Sequence, residues 1–233
     1  MGLKQRWEAV SAEVAKLCRE AGRDPRDVRI VAVSKTVGAD VVGEAISCGM
    51  ADFGENREKP FNEKAALYPQ ARWHFIGNLQ SNKAKQVVGT ACLIHSVDRP
   101  SLLSAIQKEA AKRGIVQDIL VEVSVSGEKS KGGIAPGELA AFLEAVAGCE
   151  NVACKGLMTM APRGNADLAR KTFAGLRELA QSMDAYCDGR DSISMRELSM
   201  GMSEDYPAAI AEGATMVRIG RKIFSEDFEA PRA

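Results

Sequence analysis

Lys35 stands where an apolar segment of the sequence ends in an amine. It follows the run Arg29 to Ser34, whose centre reads Ile-Val-Ala-Val, a pattern typical of a strand buried along its length. A lysine amine taken out of water has a lowered pKa, and it can be uncharged near neutral pH, the state in which an amine forms an imine with an aldehyde. The alternative is a lysine at a strand end whose amine reaches solvent. A second motif, far downstream, favours the imine-forming amine.

That motif consists of two segments, 198–205 and 214–221. The first, LSMGMSED, is interpreted as a short strand that breaks at Gly201 and leads into a helix with Ser203 as its N-cap. The second, ATMVRIGR, is interpreted as an apolar strand that ends at Gly220. Glycine amides, a hydroxyl and a helix N-terminus at two neighbouring strand ends make an anion site, because unpaired N–H groups and the helix dipole point at one place. The expected anion is a phosphate.

Composition limits the possible classes of protein. The chain has 233 residues, 45% of them hydrophobic, and a formal net charge of zero. This length can bury a sizeable core in one barrel or open-sheet domain. A balanced charge argues against nucleic-acid and membrane-surface proteins, which need a basic surplus to meet phosphates.

Cysteine and histidine usage predicts the compartment and argues against a metal site. The six cysteines lack C-x-x-C spacing and are interpreted as small buried apolar residues in a reducing compartment. With only two histidines, a zinc site built on imidazoles is not expected. The first 22 residues carry charges throughout and do not resemble a signal peptide, and no segment has the length of a membrane span. We therefore expect a cytoplasmic protein.

Strand-like and helix-like segments alternate along the chain. After an N-terminal helix over about residues 3–21, which Gly22 ends, eight strands are predicted at 30–34, 52–54, 73–76, 92–96, 119–124, 152–158, 196–199 and 216–219. Helical patterns between them cover 39–48, 59–67, 82–88, 99–113, 136–147 and 166–183. This alternation predicts right-handed crossovers and a parallel sheet.

Eight such units favour an α/β fold of the closed (β/α)8 TIM barrel type over an open sheet. The glycine-rich fingerprint of a dinucleotide fold is missing after the first strand, where Ser34-Lys35-Thr36 stands instead. We expect a single domain over residues 1–233, with an extra helix over 1–22 and the barrel over 28–225.

Polar residues follow the predicted strands at the end where a barrel carries its site. Lys35 ends the first strand, Glu55 and Asn56 end the second, and Arg218 lies on the eighth. Barrel phosphates commonly lie at the loops after the seventh and eighth strands, which is where the proposed anion site falls. Because closing the barrel puts the first strand beside the eighth, Lys35 becomes a neighbour of that site.

An imine-forming lysine beside a phosphate site describes a pocket for a phosphorylated aldehyde, and pyridoxal 5′-phosphate (PLP) fits this description. Arg218 could then face the pyridine nitrogen of PLP from the eighth strand. A carboxylate there would keep the ring protonated, whereas an arginine leaves the nitrogen unprotonated. The ring is therefore expected to be a weak electron sink.

Ordered motifs cover nearly the whole chain after the first helix: AVSKT at 32–36, FGENR at 53–57, WHFIGNLQSNK at 73–83, HSVD at 95–98, SGEKSKGG at 126–133, GLMTM at 156–160 and the two C-terminal segments. Together they resemble the pyridoxal phosphate homeostasis protein family, whose barrel is similar to the N-terminal domain of alanine racemase. The resemblance implies that Lys35 forms the Schiff base and that Arg218 faces the pyridine nitrogen. The other implied cofactor contacts are Asn56 near the ring and, at the phosphate, Ser203, Gly220 and Arg221.

Three residues have roles that the sequence leaves open. The family often has a small hydroxyl residue at the position of Arg221, so a side-chain contact can be lost there while the backbone N–H remains. His74 is interpreted as a hydrogen-bonded structural residue, with a ligand contact as the alternative. Lys131 is interpreted as a solvated charge, with a second, transient aldehyde acceptor as the alternative.

The resemblance implies a PLP-binding protein of intracellular vitamin B6 homeostasis that holds PLP as a lysine Schiff base and passes it transiently to apoenzymes, rather than an enzyme. A PLP-dependent racemase is the alternative, and it needs an acid/base group on each face of its substrate. The chain ends soon after its eighth predicted strand, so we expect no second domain to supply such a group, and a monomer. An imine-forming aldolase that acts on a sugar phosphate would share the lysine and the phosphate site.

Overall fold

Eight parallel strands close into a barrel in the order β1 to β8, which confirms the predicted (β/α)8 fold. The structure is a computed structural model and describes residues 1–127 and 132–226; Lys129 and Lys131 lie outside the described residues. The strands are β1 Arg29–Val33, β2 Asp52–Glu55, β3 Arg72–Phe75, β4 Leu93–Val97, β5 Gln117–Glu122, β6 Val152–Met158, β7 Ile193–Met202 and β8 Met216–Ile219.

Helices connect the strands and cover the barrel. They are α1 Leu3–Glu20, α2 Ala39–Ser47, α3 Glu58–Leu67, α4 Pro100–Arg113, α5 Leu139–Ala147, α6 Ala166–Ser182, α7 Asp184–Cys187, α8 Tyr206–Ala211 and α9 Arg221–Phe224. The segment predicted as a helix over 82–88 is instead a 3-10 helix, Ser81–Gln86. The extra helix α1 packs against α8 and α9, where Lys222 Nζ donates to Glu13 Oε2 at 2.7 Å.

β7 is ten residues long, although the sequence analysis predicted four. The prediction took Gly201 as the break that ends the strand. In the structure Gly201 has φ +90° and lies where the register of β7 against β8 shifts, between Ser199 and Met202. The glycine therefore bends the strand without ending it, since it adopts a backbone conformation that other residues avoid.

The buried residues form two layers. Outward-facing strand residues such as Phe53, Phe75 and Ile94 pack with the helices in one large cluster. A separate small cluster consists of Leu93, Leu120, Met158 and Met216. These four come from β4, β5, β6 and β8, and β8 pairs only with β7 and β1, so the cluster meets across the barrel interior. The remainder of the interior includes buried polar side chains, and these form the candidate site.

The expectation that all six cysteines are buried is wrong. All six are free, but only Cys18 and Cys154 are buried, while Cys92 is exposed. Cys92 comes just before β4, where the chain has not yet entered the barrel wall. None of the described helices is long and apolar enough to cross a bilayer.

Gly156 lies where strands β6 and β7 approach each other closely. A Cβ at this position would lie 1.9 Å from the backbone oxygen of Glu197 in β7, at a φ of +154°. We expect Gly156→Ala to lower the free energy of unfolding by more than about 2 kcal/mol, because backbone atoms of the wall would have to move. Denaturant unfolding followed by circular dichroism measures this.

Gly137→Ala is the matched control, because a Cβ at Gly137 meets no atom within 4 Å. It should change the free energy of unfolding by no more than about 0.5 kcal/mol. Equal stability of the two variants would contradict the close approach of β6 and β7 at Gly156.

Candidate functional site

Barrel closure places the two predicted halves of the site side by side. β1 pairs with β8 in the register Val31 with Arg218 and Ala32 with Ile219. A Cβ at Gly220 would lie 3.0 Å from the carbonyl oxygen of Val33. The glycine after β8 therefore runs against the end of β1, two residues before Lys35, at the end of the barrel where parallel-barrel sites form.

Lys35 is exposed in this structure, which contradicts the expectation of an amine taken out of water. β1 ends at Val33, Ser34 is the last buried residue, and a turn closed by the Val37 N–H on the Ser34 carbonyl (3.1 Å) carries Lys35 off the barrel wall. The alternative interpretation, a lysine at a strand end in contact with solvent, describes its surroundings. Burial therefore does not activate this amine in the structure.

The turn that carries Lys35 is anchored by a buried ion pair. Lys64 Nζ pairs with Glu55 Oε1 in a short contact and donates to the Ser34 carbonyl oxygen at 2.8 Å. The Ser34 hydroxyl donates to the same carboxylate oxygen at 3.0 Å. Removing one partner of such a pair leaves an uncompensated buried charge, so the pair holds the end of β1 firmly. Glu55 was predicted at the end of the second strand, whereas Lys64, on α3, was missed.

Arg218 is buried in the barrel interior. Its Nη1 donates to Ser199 Oγ at 2.5 Å and its Nη2 donates to the Thr159 carbonyl oxygen at 3.0 Å. Burial lowers the pKa of Arg218 to about 10, against the opposing effect of the Glu122 and Asp205 carboxylates. The guanidinium is therefore still charged at neutral pH.

Ser203 and Gly220 lie in contact, although the anion-site hypothesis expected the glycine N–H to be unpaired. The Gly220 N–H donates to Ser203 Oγ at 3.3 Å, and Ser203 is buried. Ser203 is not the N-cap of the helix, because α8 begins at Tyr206 with Asp205 before it. Asp205 Oδ1 instead accepts a hydrogen bond from the Met202 N–H at 2.6 Å, and this bond closes a turn that contains Ser203. The helix dipole thus contributes less to this site than predicted.

Arg221 and Asn56 flank the same end of the barrel. Arg221 is exposed and its Nη2 pairs with Glu204 Oε1 across the two C-terminal loops. Asn56, half-buried after β2, is crossed closely by the loop after β3, since a Cβ at Gly77 would lie 2.2 Å from the Asn56 carbonyl oxygen.

Glu122, near Arg218, and its neighbour Asp98 were not predicted as site residues. A Cβ at Gly132 would lie 3.2 Å from Asp98 Oδ2 and 3.8 Å from Glu122 Oε1, so the two carboxyls are close neighbours. Burial, with a smaller contribution from the nearby Asp98 carboxylate, raises the pKa of Glu122 to about 7 against the opposing effect of Arg218 and Arg99. The sequence signal was a single acid inside the apolar run Leu-Val-Glu-Val at the end of β5.

Comparison with known proteins decides the family. The model of the alanine racemase N-terminal domain matches residues 7–226. A relative from Aquifex aeolicus named pyridoxal phosphate homeostasis protein is 42% identical over 97% of this chain and 99% of its own length. The chain belongs to the pyridoxal phosphate homeostasis protein family.

Solved structures of similar proteins superpose on this barrel. PipY of Synechococcus elongatus, solved with PLP bound, is 32% identical and superposes with a TM-score of 0.83, covering 96% of this chain and 100% of PipY. An alanine racemase of Clostridium difficile superposes with a TM-score of 0.73 at 15% identity, covering 99% of this chain and 57% of the racemase, which shows the shared fold alone.

Because the pKa of Glu122 is raised, the free energy of unfolding should depend on pH. Because its folded pKa of about 7 exceeds the ordinary value of 4.5, native Glu122 holds a proton between these pH values that the unfolded chain has lost. Its contribution is fully present below pH 4.5 and is lost as pH rises through 7. Glu122→Gln keeps the neutral form, so it should match the wild type near pH 4.5 and be more stable by about 3 kcal/mol at pH 8.

Denaturant unfolding at several pH values between 4.5 and 8 tests this, with the exposed Glu150→Gln as control. The difference in free energy of unfolding between Glu150→Gln and the wild type should be the same at every pH. A difference for Glu122→Gln that is constant across this range would show that Glu122 is ionised throughout.

Proposed function

We propose that this chain binds PLP as a Schiff base on Lys35 and serves vitamin B6 homeostasis inside the cell by holding and releasing this reactive aldehyde. The observation that carries the proposal is the meeting, at one end of the barrel, of the Lys35 turn, the Ser203–Gly220 pair and the buried Arg218. The names of the relatives and the PLP bound to PipY support the choice of ligand.

The residues present fit the phosphate of PLP. The Gly220 nitrogen and the Ser203 Oγ lie 3.3 Å apart. Gly220 has no side chain, and a Cβ there would lie too close to the backbone of Val33. Phosphates in proteins are commonly held by such hydroxyl and backbone N–H groups. Arg221 would add its backbone N–H, while its guanidinium is engaged with Glu204.

Arg218 fits the pyridine nitrogen. A guanidinium has no proton acceptor and remains charged here, so it donates a hydrogen bond to an unprotonated ring nitrogen. When bound, PLP supplies an aldehyde that condenses with an amine, and its carbonyl oxygen leaves as water. An unprotonated ring draws electrons weakly, which suits storage of the aldehyde better than carbanion chemistry.

The exposure of Lys35 suits transfer of the cofactor. An amine in contact with solvent can be reached by water or by the amine of a receiving apoenzyme, whereas enclosed sites protect a reactive group. The proposal includes Asn56 beside the ring, a cytoplasmic location in keeping with the free cysteines, a monomer, and transient encounters with PLP-dependent apoenzymes.

Reduction with borohydride tests the Schiff base directly. The wild type incubated with PLP should gain an absorption band near the visible edge and, after reduction, a covalent adduct that peptide mass mapping locates to Lys35. Lys35→Ala should lose the adduct while keeping its fold, because Lys35 is exposed and lies just beyond the end of β1, beside the Ser203–Gly220 pair. Lys108→Ala, which removes an exposed lysine on α4, is the control and should load as the wild type does.

An adduct of equal yield on another lysine in Lys35→Ala would contradict the assignment. A wild type that stays colourless with PLP yet cleaves a sugar phosphate through Lys35 would favour an imine-forming aldolase.

We predict no substantial amino-acid racemase activity. Among the described residues, the tyrosines and histidines that often serve as a second base lie elsewhere. Tyr206 is buried against Lys222, Tyr186 stacks under Arg190 and Tyr68 packs on Gly43, while both histidines are buried in the barrel. Incubation of the loaded protein with amino acids in deuterated water should give no enzymatic rate of exchange at Cα. Rapid exchange that is lost in Lys35→Ala would overturn this prediction.

A further inference from the structure

A chain of hydrogen bonds crosses the barrel interior behind Arg218. Ser199 Oγ, which accepts from Arg218 Nη1, lies 2.9 Å from His95 Nδ1. His95 Nε2 lies 3.0 Å from His74 Nδ1, and His74 Nε2 lies 3.0 Å from Asp52 Oδ1. All five residues are more than nine-tenths buried. Asp52 is the first residue of β2, so the chain reaches from the site to the opposite end of the barrel.

The two ends of this chain determine the direction of every hydrogen bond in it. A guanidinium can only donate and a carboxylate can only accept. His74 must therefore donate from Nε2 to Asp52 and, when neutral, accept at Nδ1. His95 then donates from Nε2 and accepts at Nδ1 from the Ser199 hydroxyl. The Ser199 oxygen remains free to accept from Arg218, so each proton has one position.

Charges around the chain agree with this direction. Burial lowers the pKa of His74 and, more strongly, that of His95, so both imidazoles are neutral at pH 7. Burial raises the pKa of Asp52, but hydrogen bonds from His74 and Arg72 outweigh it and hold the pKa at about 2. Arg72 donates to both Asp52 oxygens, at 2.7 Å and 2.5 Å, which secures the accepting end.

We infer that Ser199, His95 and His74 are positioning residues for Arg218, forming a one-directional hydrogen-bond chain that holds its guanidinium from behind. With Nη1 fixed on Ser199 and Nη2 fixed on the Thr159 carbonyl, the guanidinium cannot turn, and its remaining N–H groups have a fixed direction. The identity of the group that faces Arg218, the ring nitrogen of PLP, rests on the proposed function. The hydrogen-bond chain behind Arg218 does not depend on that function.

The histidine nitrogens provide a test that needs no cofactor. The sequence contains only two histidines, so an imidazole 15N spectrum of histidine-labelled protein reports on His74 and His95 alone. We expect both rings to be neutral at pH 7 with the proton on Nε2. Ser199→Ala should shift the His95 Nδ1 resonance, because that nitrogen loses its donor. A proton on Nδ1 of either ring, or a charged ring at pH 7, would overturn the chain.

Cofactor release tests the positioning role. His95→Leu removes both hydrogen bonds at similar volume, and Ser199→Ala removes the contact to Arg218, whereas His95→Gln can still donate and accept. In folded protein, His95→Leu and Ser199→Ala should keep the borohydride adduct on Lys35 but release PLP about tenfold faster, as expected for loss of one hydrogen bond to a charged group. His95→Gln should restore slow release, and 15N-labelled PLP should show a changed ring-nitrogen resonance only in the first two variants.

Ser194→Ala is the matched control, since Ser194 lies on the same strand and its hydroxyl donates to the Lys155 carbonyl outside the chain. Wild-type release and ring-nitrogen resonance in both Ser199→Ala and His95→Leu would overturn the positioning role. Failure of the wild type to bind PLP would instead overturn the proposed function, and the histidine spectrum would still decide the chain. Loss of fold in His95→Leu leaves Ser199→Ala as the deciding variant.

Discussion

The parallel pairing of β1 with β8 is the constraint on which the candidate site depends. It joins the first strand of the chain to the last, which comes more than 180 residues later in the sequence. The same pairing sets Val31 opposite Arg218 and lays the backbone of Gly220 on Val33. Without closure, the lysine, the guanidinium and the hydroxyl–amide pair would be separate features of the chain.

The interior of the barrel contains both an apolar cluster and ionic groups. Leu93, Leu120, Met158 and Met216 fill part of it, while Arg218 and Asp52 carry buried charge. A buried charge is costly unless hydrogen bonds and counter-charges compensate it. Here the compensation is spread over neutral histidines and a serine, so the charges at the two ends need not touch. Buried hydrogen-bond networks of this kind make a protein interior rigid.

The exposed Lys35 changes the physical account of its reactivity. Activation through burial would have required the barrel to enclose the amine, and the turn after β1 leaves Lys35 exposed instead. What the fold contributes is a rigid base for the amine, through Glu55, Lys64 and Ser34. On the proposed function, reactivity toward a phosphorylated aldehyde would arise from proximity to the anion site rather than from a dry environment.

The sequence by itself determined the barrel, the strands β6 and β8 to the residue, and the set of polar groups at the strand ends, because period, glycine punctuation and alternation are local properties of the chain. Ordered motifs also determined the family. Only the tertiary structure decided that Lys35 is exposed, that Asp205 rather than Ser203 precedes α8, and that Lys64, Glu122 and the two histidines stand behind the site. These depend on which side chains meet across a closed sheet and on how much water is excluded there, and neither quantity is encoded in the spacing of residues along one strand.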